Sequence, residues 1–247
     1  MGIFANPLTD LLEYEDFSRD FLKGTDPVGM TGCIDSEKVH FMSTFLGEKK
    51  VQLVVTYNEQ RAREIEEDYK LFCSQVYVIP PRDLIFFSAD LQGNAIIAER
   101  MKAFAALYQN EAKVIITTMD ALMSAAVPFE QLMSHVIKLK EGDELDLEKL
   151  KHDLTVMGYE RVGRVEEPGQ FTVHGGIADV YPLTMEVPVR IELWGDEIDT
   201  IRCFEPQSQR SMDQIECVSV FPAAEVIADD TARRRAVGMI QNELESQ

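Results

Sequence analysis

The sequence predicts an α/β protein in which a parallel-sheet domain is followed by a small antiparallel α+β domain. Three observations carry that expectation. Through roughly the first 125 residues, short runs rich in β-branched residues alternate with amphipathic helical segments, which calls for a parallel sheet covered by helices. From about residue 159 short strand-like runs follow one another, separated by glycine and proline turns, as in an antiparallel sheet. The 247-residue chain is 45% hydrophobic and 27% charged, which supplies apolar material for a core in each part.

The apolar positions of LTDLLEYEDFSRDFL (8–22) recur at helical spacing. A short strand is expected around DPVGM (26–30), and SEKVHFMSTFL (36–46) is the helix after it. VQLVVTY (51–57), QVYVIPP (75–81) and KVIITT (113–118) are the next strands, with NEQRAREIEEDYKLFC (58–73) and NAIIAERMKAFAALY (94–108) as the helices between them. Such β-α-β-α-β order places ligands at the carboxyl ends of the strands. The stretch from His135 to Val162 reads as a strand, an acidic turn and one helix closed by Gly158, which supplies the left-handed terminal residue. RVGRVEE, QFTVHGG, IADVYP, VRIELWG and EIDTIRCFE then give strands over 161–205, with turns at Pro168-Gly169, Gly175-Gly176, Pro182 to Pro188 and Gly195-Asp196. From Met212 onward one strand and a long helix reach the last residue, which suggests a piece of a longer protein. The expected segments are 1–128, 129–210 and 211–247.

Charge narrows the function. With 43 acidic against 24 basic residues the net charge is −19, which repels phosphate backbones, so no autonomous DNA binding is expected and a cationic protein surface is the expected kind of partner. No stretch approaches the roughly 18 uninterrupted apolar residues of a membrane span, and the acidic start is unlike a signal peptide. The expected location is the cytoplasm. Cys33, Cys73, Cys203 and Cys217 form no C-x-x-C pair, and His40, His135, His152 and His174 are not spaced as ligands, so no metal is expected. No G-x-S-x-G, H-E-x-x-H or Cys/His dyad is present, and no catalytic residue is expected.

One loop has the outline of a nucleotide site. GMTGCIDS, from Gly29 through Gly32 to Ser36, follows the Walker A spacing G-x-x-x-x-G-K-[ST], but Ile34 stands where the second glycine belongs and Asp35 where the lysine belongs. Ile34 brings a branched Cβ to a position where backbone must approach phosphate, and Asp35 adds a negative charge beside several others. A frame starting at Gly24 restores the glycine at Gly29 but has Met30 in place of lysine. The first domain is therefore expected to be P-loop NTPase-like in a degenerate form that binds no nucleotide, and no cofactor is expected. GDEL (142–145) and GDEI (195–198) follow alternating strands and read as turns, not as Walker B acids.

The run GYERVGRVEEPGQFTVHGGIADVYPLTMEVPVRIELWGDEIDTIRCFEPQSQRS (158–211) closely resembles the UvrB-homology region at the N-terminus of bacterial transcription-repair coupling factors. The degenerate loop, VQLVVTYN, PRDLIFF, ERMKAF and VFPAAEVI have weaker counterparts there in the same order. The resemblance implies UvrB-like domains 1A and 2 and the start of 1B, no ATPase activity in this region, and recruitment of the damage-recognition protein UvrA through domain 2 for transcription-coupled nucleotide excision repair. It also implies translocase and RNA-polymerase-binding domains in the remainder of a full-length protein that is an ATP-dependent DNA translocase. The alternative is a UvrB-like ATP-dependent DNA-binding repair protein. UvrB, however, grips DNA with a long aromatic β-hairpin, and the segment from PRDLIFFSADLQGN to AIIAERMKAF is too short to hold one.

In the family UvrA docks on an arginine before the Gly-Gly pair, an arginine in P-x-R-[IL]-[ED] and an aromatic four residues after it. The matching positions here are His174, Arg190 and Trp194. Arg190 and Trp194 keep the family's chemistry, whereas His174 lacks the guanidinium fork. On VRIELW the period of two puts Arg190, Glu192 and Trp194 on one face and Val189, Ile191 and Leu193 on the other, which is the expected core face. Replacing Arg190 or Trp194 is accordingly expected to leave folding intact.

Overall fold

A computed structural model describes residues 8, 10–11, 14–24, 27–46, 51–82, 91–124, 126–227, 234, 237–241 and 244. The elements run α1 (Tyr14–Lys23), α2 (Asp35–Ser43), β1 (Gln52–Thr56), α3 (Glu59–Lys70), β2 (Val76–Ile79), α4 (Leu91–Tyr108), β3 (Val114–Thr118) and α5 (Met119–Met123). They continue with α6 (Phe129–Met133), β4 (Ile137–Lys140), α7 (Leu147–Val156), β5 (Glu160–Arg161), β6 (Gln170–His174), β7 (Ile177–Val180), β8 (Val189–Trp194), β9 (Glu197–Phe204), β10 (Ser211–Gln214) and β11 (Cys217–Val220). The chain forms two compact units, residues 1–82 with 109–124 and residues 83–108 with 125–247.

In the first unit β1, β3 and β2 form a parallel sheet in that order, with β3 at the centre. All five residues of β3 are buried, as its continuous Val-Ile-Ile-Thr-Thr run requires of a central parallel strand. One face packs on α2 and α3 through Val39, Ile65, Tyr69, Val78 and Ile116. Asn58 starts α3, its side chain accepting from the Arg61 N–H at 2.8 Å. The strand expected around DPVGM is not formed: residues 27–31 are irregular and pair with no strand. Pro27 has no N–H for a ladder, and Gly32 turns the chain at φ +84°.

In the second unit six strands lie in the order β10-β9-β8-β7-β6-β5, antiparallel throughout except for the β5–β6 pair. A separate antiparallel pair joins β4 to β11. Helix α7 and its C-terminal cap fill the core with Leu150, Leu154 and the capping Met157, against Leu139 and Val218 of the two-stranded pair and against Phe171, Val173, Val180 and Ile191 of the large sheet. Two strand expectations are corrected. RVGRVEE keeps only β5, because the chain turns away to bury Val165 against Tyr181 and Phe204 before returning through Gly169 at φ +88°. The single strand expected after Met212 is two, β10 on β9 and β11 on β4, so that this segment changes partner between residues 214 and 217.

Helix α4, which lies within the first 128 residues of the linear division, packs in the second unit, where Met101 and Ala105 meet Leu132, Met133 and Phe221. Arg100 of α4 forms a two-point ion pair with Glu225, and both side chains are buried. Two charges removed from water in this way need each other, since either alone would be an uncompensated buried ion. Among the described residues no helix is long and apolar enough to cross a membrane.

Gly158 closes α7 at φ +91°, and a Cβ there would lie 2.6 Å from the Ala224 Cβ. The backbone of Met157 also accepts the Ala223 and Ala224 N–H groups, so this approach holds the segment after β11 to the helix end. Gly158→Ala combines a left-handed alanine with a steric overlap and is expected to cost about 2 kcal/mol or more, read as a lowered Tm with the same fold by circular dichroism.

Candidate protein-docking face

The residues singled out on β8 belong to one side of the six-stranded sheet. Register partners share a face. One row runs His174, Ile177, Glu192 and Thr200 across β6, β7, β8 and β9, and the next polar row runs Thr172, Asp179, Arg190 and Arg202. The intervening row, Val173, Ala178, Ile191 and Ile201, points into the core. The period-two reading of VRIELW is therefore correct for Val189 through Glu192. Beyond Glu192 the β8–β9 register shifts by one residue, and Trp194 pairs with Glu197 at the Gly195 turn.

The two halves of this polar face differ in accessibility. Trp194 is 84% exposed, Ile177 is exposed, and His174 is exposed at the end of β6 beside the Gly175-Gly176 turn. Glu192 is half-buried between them, and its Oε2 accepts from the Thr200 hydroxyl at 3.4 Å. A row inward the face is closed. Arg190 Nε and Nη2 donate to the two oxygens of Asp179 at 2.8 and 2.7 Å, a bidentate fork between neighbouring strands. Its guanidinium also lies 4.7 Å from the Phe204 ring centre, and Gln209 Oε1 accepts from Nη2 at 3.4 Å. Hydrogen bonding to Asp179 raises the Arg190 pKa further, against the opposing effect of burial. The side chains of Arg190 and Asp179 are 21% and 9% exposed.

His174, Glu192 and Trp194 thus come together at the open end, while Arg190 is engaged beneath them. The fork on Asp179 weighs against the expectation that replacing Arg190 leaves folding intact. Sequence reasoning passed over Asp179 and Ile177. The signal for Asp179 was present, since it is the lone acid in the apolar strand IADVYP and a charge there needs a partner across the sheet.

The degenerate loop lies in the first unit. Gly29 and Ser36 are exposed, Gly32 adopts its positive φ, and Ile34, 65% exposed, precedes α2. Glu37 Oε2 accepts from the Ile34 N–H at 3.0 Å. Asp35 lies 3.2 Å from Lys38 Nζ and 3.4 Å from Arg61 Nη2. The N–H of Ile34 at the helix start is therefore met by the chain's own Glu37 carboxylate, and Lys38 and Arg61 pair with Asp35, Arg61 also with Glu64 at 2.9 Å, instead of standing free for a phosphate. Among the described residues no group of three or more His, Cys, Asp or Glu side chains could hold a metal ion.

The six-stranded sheet and its exposed tryptophan lie within residues 137–225, which match the UvrB interaction domain. Similarity extends over nearly the whole chain. It is 33% identical over 231 residues to the transcription-repair-coupling factor of Staphylococcus haemolyticus, covering 92% of this chain and 19% of the relative. To the factor of Staphylococcus epidermidis it is 31% identical over 246 residues, covering 98% and 20%, and to that of Staphylococcus aureus 31% identical over 241 residues, covering 95% and 20%. Over this length the chain is similar to transcription-repair-coupling factors, and it spans about a fifth of the length of the curated relatives it matches.

Two outcomes are expected from this geometry. Arg190→Ala strands the Asp179 carboxylate in a closed site and should lower stability by roughly 3 kcal/mol, with part of the loss recovered in the double variant Asp179→Ala, Arg190→Ala; chemical denaturation of the three variants gives the coupling. Calorimetric titration with Mg-ATP should show no binding in the micromolar range, because the N-terminus of α2 is already faced by Asp35 and Glu37.

Proposed function

We propose that this chain is a non-catalytic N-terminal module of a cytoplasmic transcription-repair coupling factor, and that it recruits UvrA for transcription-coupled nucleotide excision repair. On this reading the rest of the full-length protein supplies an ATP-driven DNA translocase and an RNA-polymerase-binding domain. The observation that carries it is Trp194, an exposed aromatic at the edge of a polar sheet face within the segment that matches the UvrB interaction domain. Exposed tryptophans beside charged groups make anchors of the kind that dominate interface energies.

The docking face comprises His174, Glu192 and Trp194 at the open end, with Arg190 braced by Asp179 behind them. Trp194 supplies buried area on binding, Glu192 offers a carboxylate to a cationic partner, and Arg190 presents its remaining exposed edge and holds β8 in register. The net charge of −19 supports a protein partner over DNA. The degenerate loop, 29–36, keeps a turn before α2 without the lysine that nucleotide binding requires, which disfavours a UvrB-like ATP-dependent role. The segments 1–128, 129–210 and 211–247 correspond on this reading to UvrB-like domains 1A, 2 and the start of 1B.

The test is UvrA affinity measured alongside Tm. Trp194→Ala should weaken UvrA binding by about 2 kcal/mol or more with Tm unchanged, since the side chain supports nothing in the fold. His174→Arg should strengthen binding, by at most roughly the 1.5–3 kcal/mol of a charged hydrogen bond. Unchanged UvrA affinity in both variants would remove this face from the interaction.

A further inference from the structure

The second unit contains a cleft of about 770 Å³ between the outer edge of β4, the N-terminal turn of α7 and the β8–β9 turn. Its floor is apolar, made by Ile137, Leu139, Leu145, Leu147, Leu150 and Leu193. Its rim is acidic: Glu144, Asp146, Glu148, Asp153 and Asp196 line it, against Lys138 and Lys149. Asp146 is engaged as the cap of α7, accepting from the Glu148 and Lys149 N–H groups, and Glu148 is met by Lys151. Glu144, Asp153 and Asp196 pair with no cation among the described residues.

The cleft also borders an open strand edge. Among the described residues strand β4 pairs only with β11. Because the Glu141 N–H donates to the Glu216 carbonyl, the antiparallel alternation directs the backbone groups of Lys138 and Lys140 outward. Those of Lys140 are taken by Asp143, its N–H by the carboxylate at 3.1 Å and its carbonyl by the Asp143 N–H at 3.1 Å. The Lys138 N–H and carbonyl have no partner among the described residues, and Lys138 lines the cleft.

We propose that this cleft is a second docking site, separate from the Trp194 face, that takes an extended protein segment of alternating basic and apolar residues as an added strand on β4. The free N–H and carbonyl of Lys138 give main-chain pairing, the leucine floor takes alternate side chains, and the unpaired carboxylates of Glu144, Asp153 and Asp196 meet the lysines or arginines between them. The same carboxylates repel phosphate, so the occupant is a protein segment and not a nucleic acid. A second copy of this chain would add its own charge of −19 to the rim, which disfavours it as the occupant.

The probe is a fluorescein-labelled peptide of alternating lysine and leucine, followed by anisotropy and by hydrogen exchange on the whole chain. It should bind, slow the exchange of the Lys138 amide, and lose at least tenfold in affinity for the double variant Glu144→Lys, Asp196→Lys. Trp194→Ala should bind the peptide as the parent does, which separates this site from the UvrA face. A control double variant, Glu59→Lys with Glu67→Lys, carries the same charge change on exposed positions of α3 and should also bind as the parent does. Equal weakening in both double variants would reduce the effect to overall charge and overturn the proposal. An unaltered Lys138 amide would overturn it, as would sedimentation showing that the parent dimerises and that Glu144→Lys with Asp196→Lys abolishes the dimer.

Discussion

The fork between Arg190 and Asp179 ties the face of the sheet to its fold. Asp179 sits on β7, where its neighbours Ala178 and Val180 enter the core, so its own carboxylate must be satisfied on the other side of the sheet. Arg190 does this from β8 in a two-point geometry that fixes both strands in one register, and Phe204 closes over the guanidinium. A slip of one residue would turn Arg190 into the core and Ile191 out of it. The exposed end of the sheet inherits its order from this pair: Glu192 and Trp194 stand where they do because the row beneath them cannot move.

The second unit shows how an acidic chain keeps a large apolar core. Its interior residues come from three sources, the core face of β6, β7, β8 and β9, helix α7 and the β4–β11 pair, and only together do they enclose Leu154, Phe171 and Ile191. The two-stranded pair has few partners of its own and depends on α7 and the Gly158 approach for its place. Its outer edge is the consequence. A strand recruited to cover a core turns one side of its backbone outward, and here the part of that side at Lys138, without a partner among the described residues, opens on a cleft with an apolar floor and an acidic rim.

In the first unit the loop before α2 is held by the chain's own charges. The helix that follows the Gly29 to Ser36 loop still points its positive end at the loop, but Glu37 caps the Ile34 N–H and Asp35 draws Lys38 and Arg61. Charges that would compensate a phosphate compensate carboxylates instead. The same turn of helix that suits an anion ligand is thus satisfied from within the chain.

Much of this was legible in the sequence because it rests on local rules. The β-branched runs, the helical spacing of α3 and α7, the glycine closing α7 and the alternation in VRIELW are set by neighbours within a few residues, and each appears where the pattern placed it. The exposure of Trp194 follows from that alternation. What the sequence left undecided depends on contacts between residues far apart in the chain. The strand expected at 26–30 was weighed as a local run, but Pro27 and the glycines beyond it gave it no ladder to join. Strand β11 pairs with β4 across nearly eighty residues, α4 packs against residues after β3, and Arg190 meets Asp179 only once the β7–β8 hairpin has closed in register. The composition and period of a strand fix which side chains share a face. Which carboxylate lies opposite which arginine is a matter of register between strands, and register is decided only when the whole core packs.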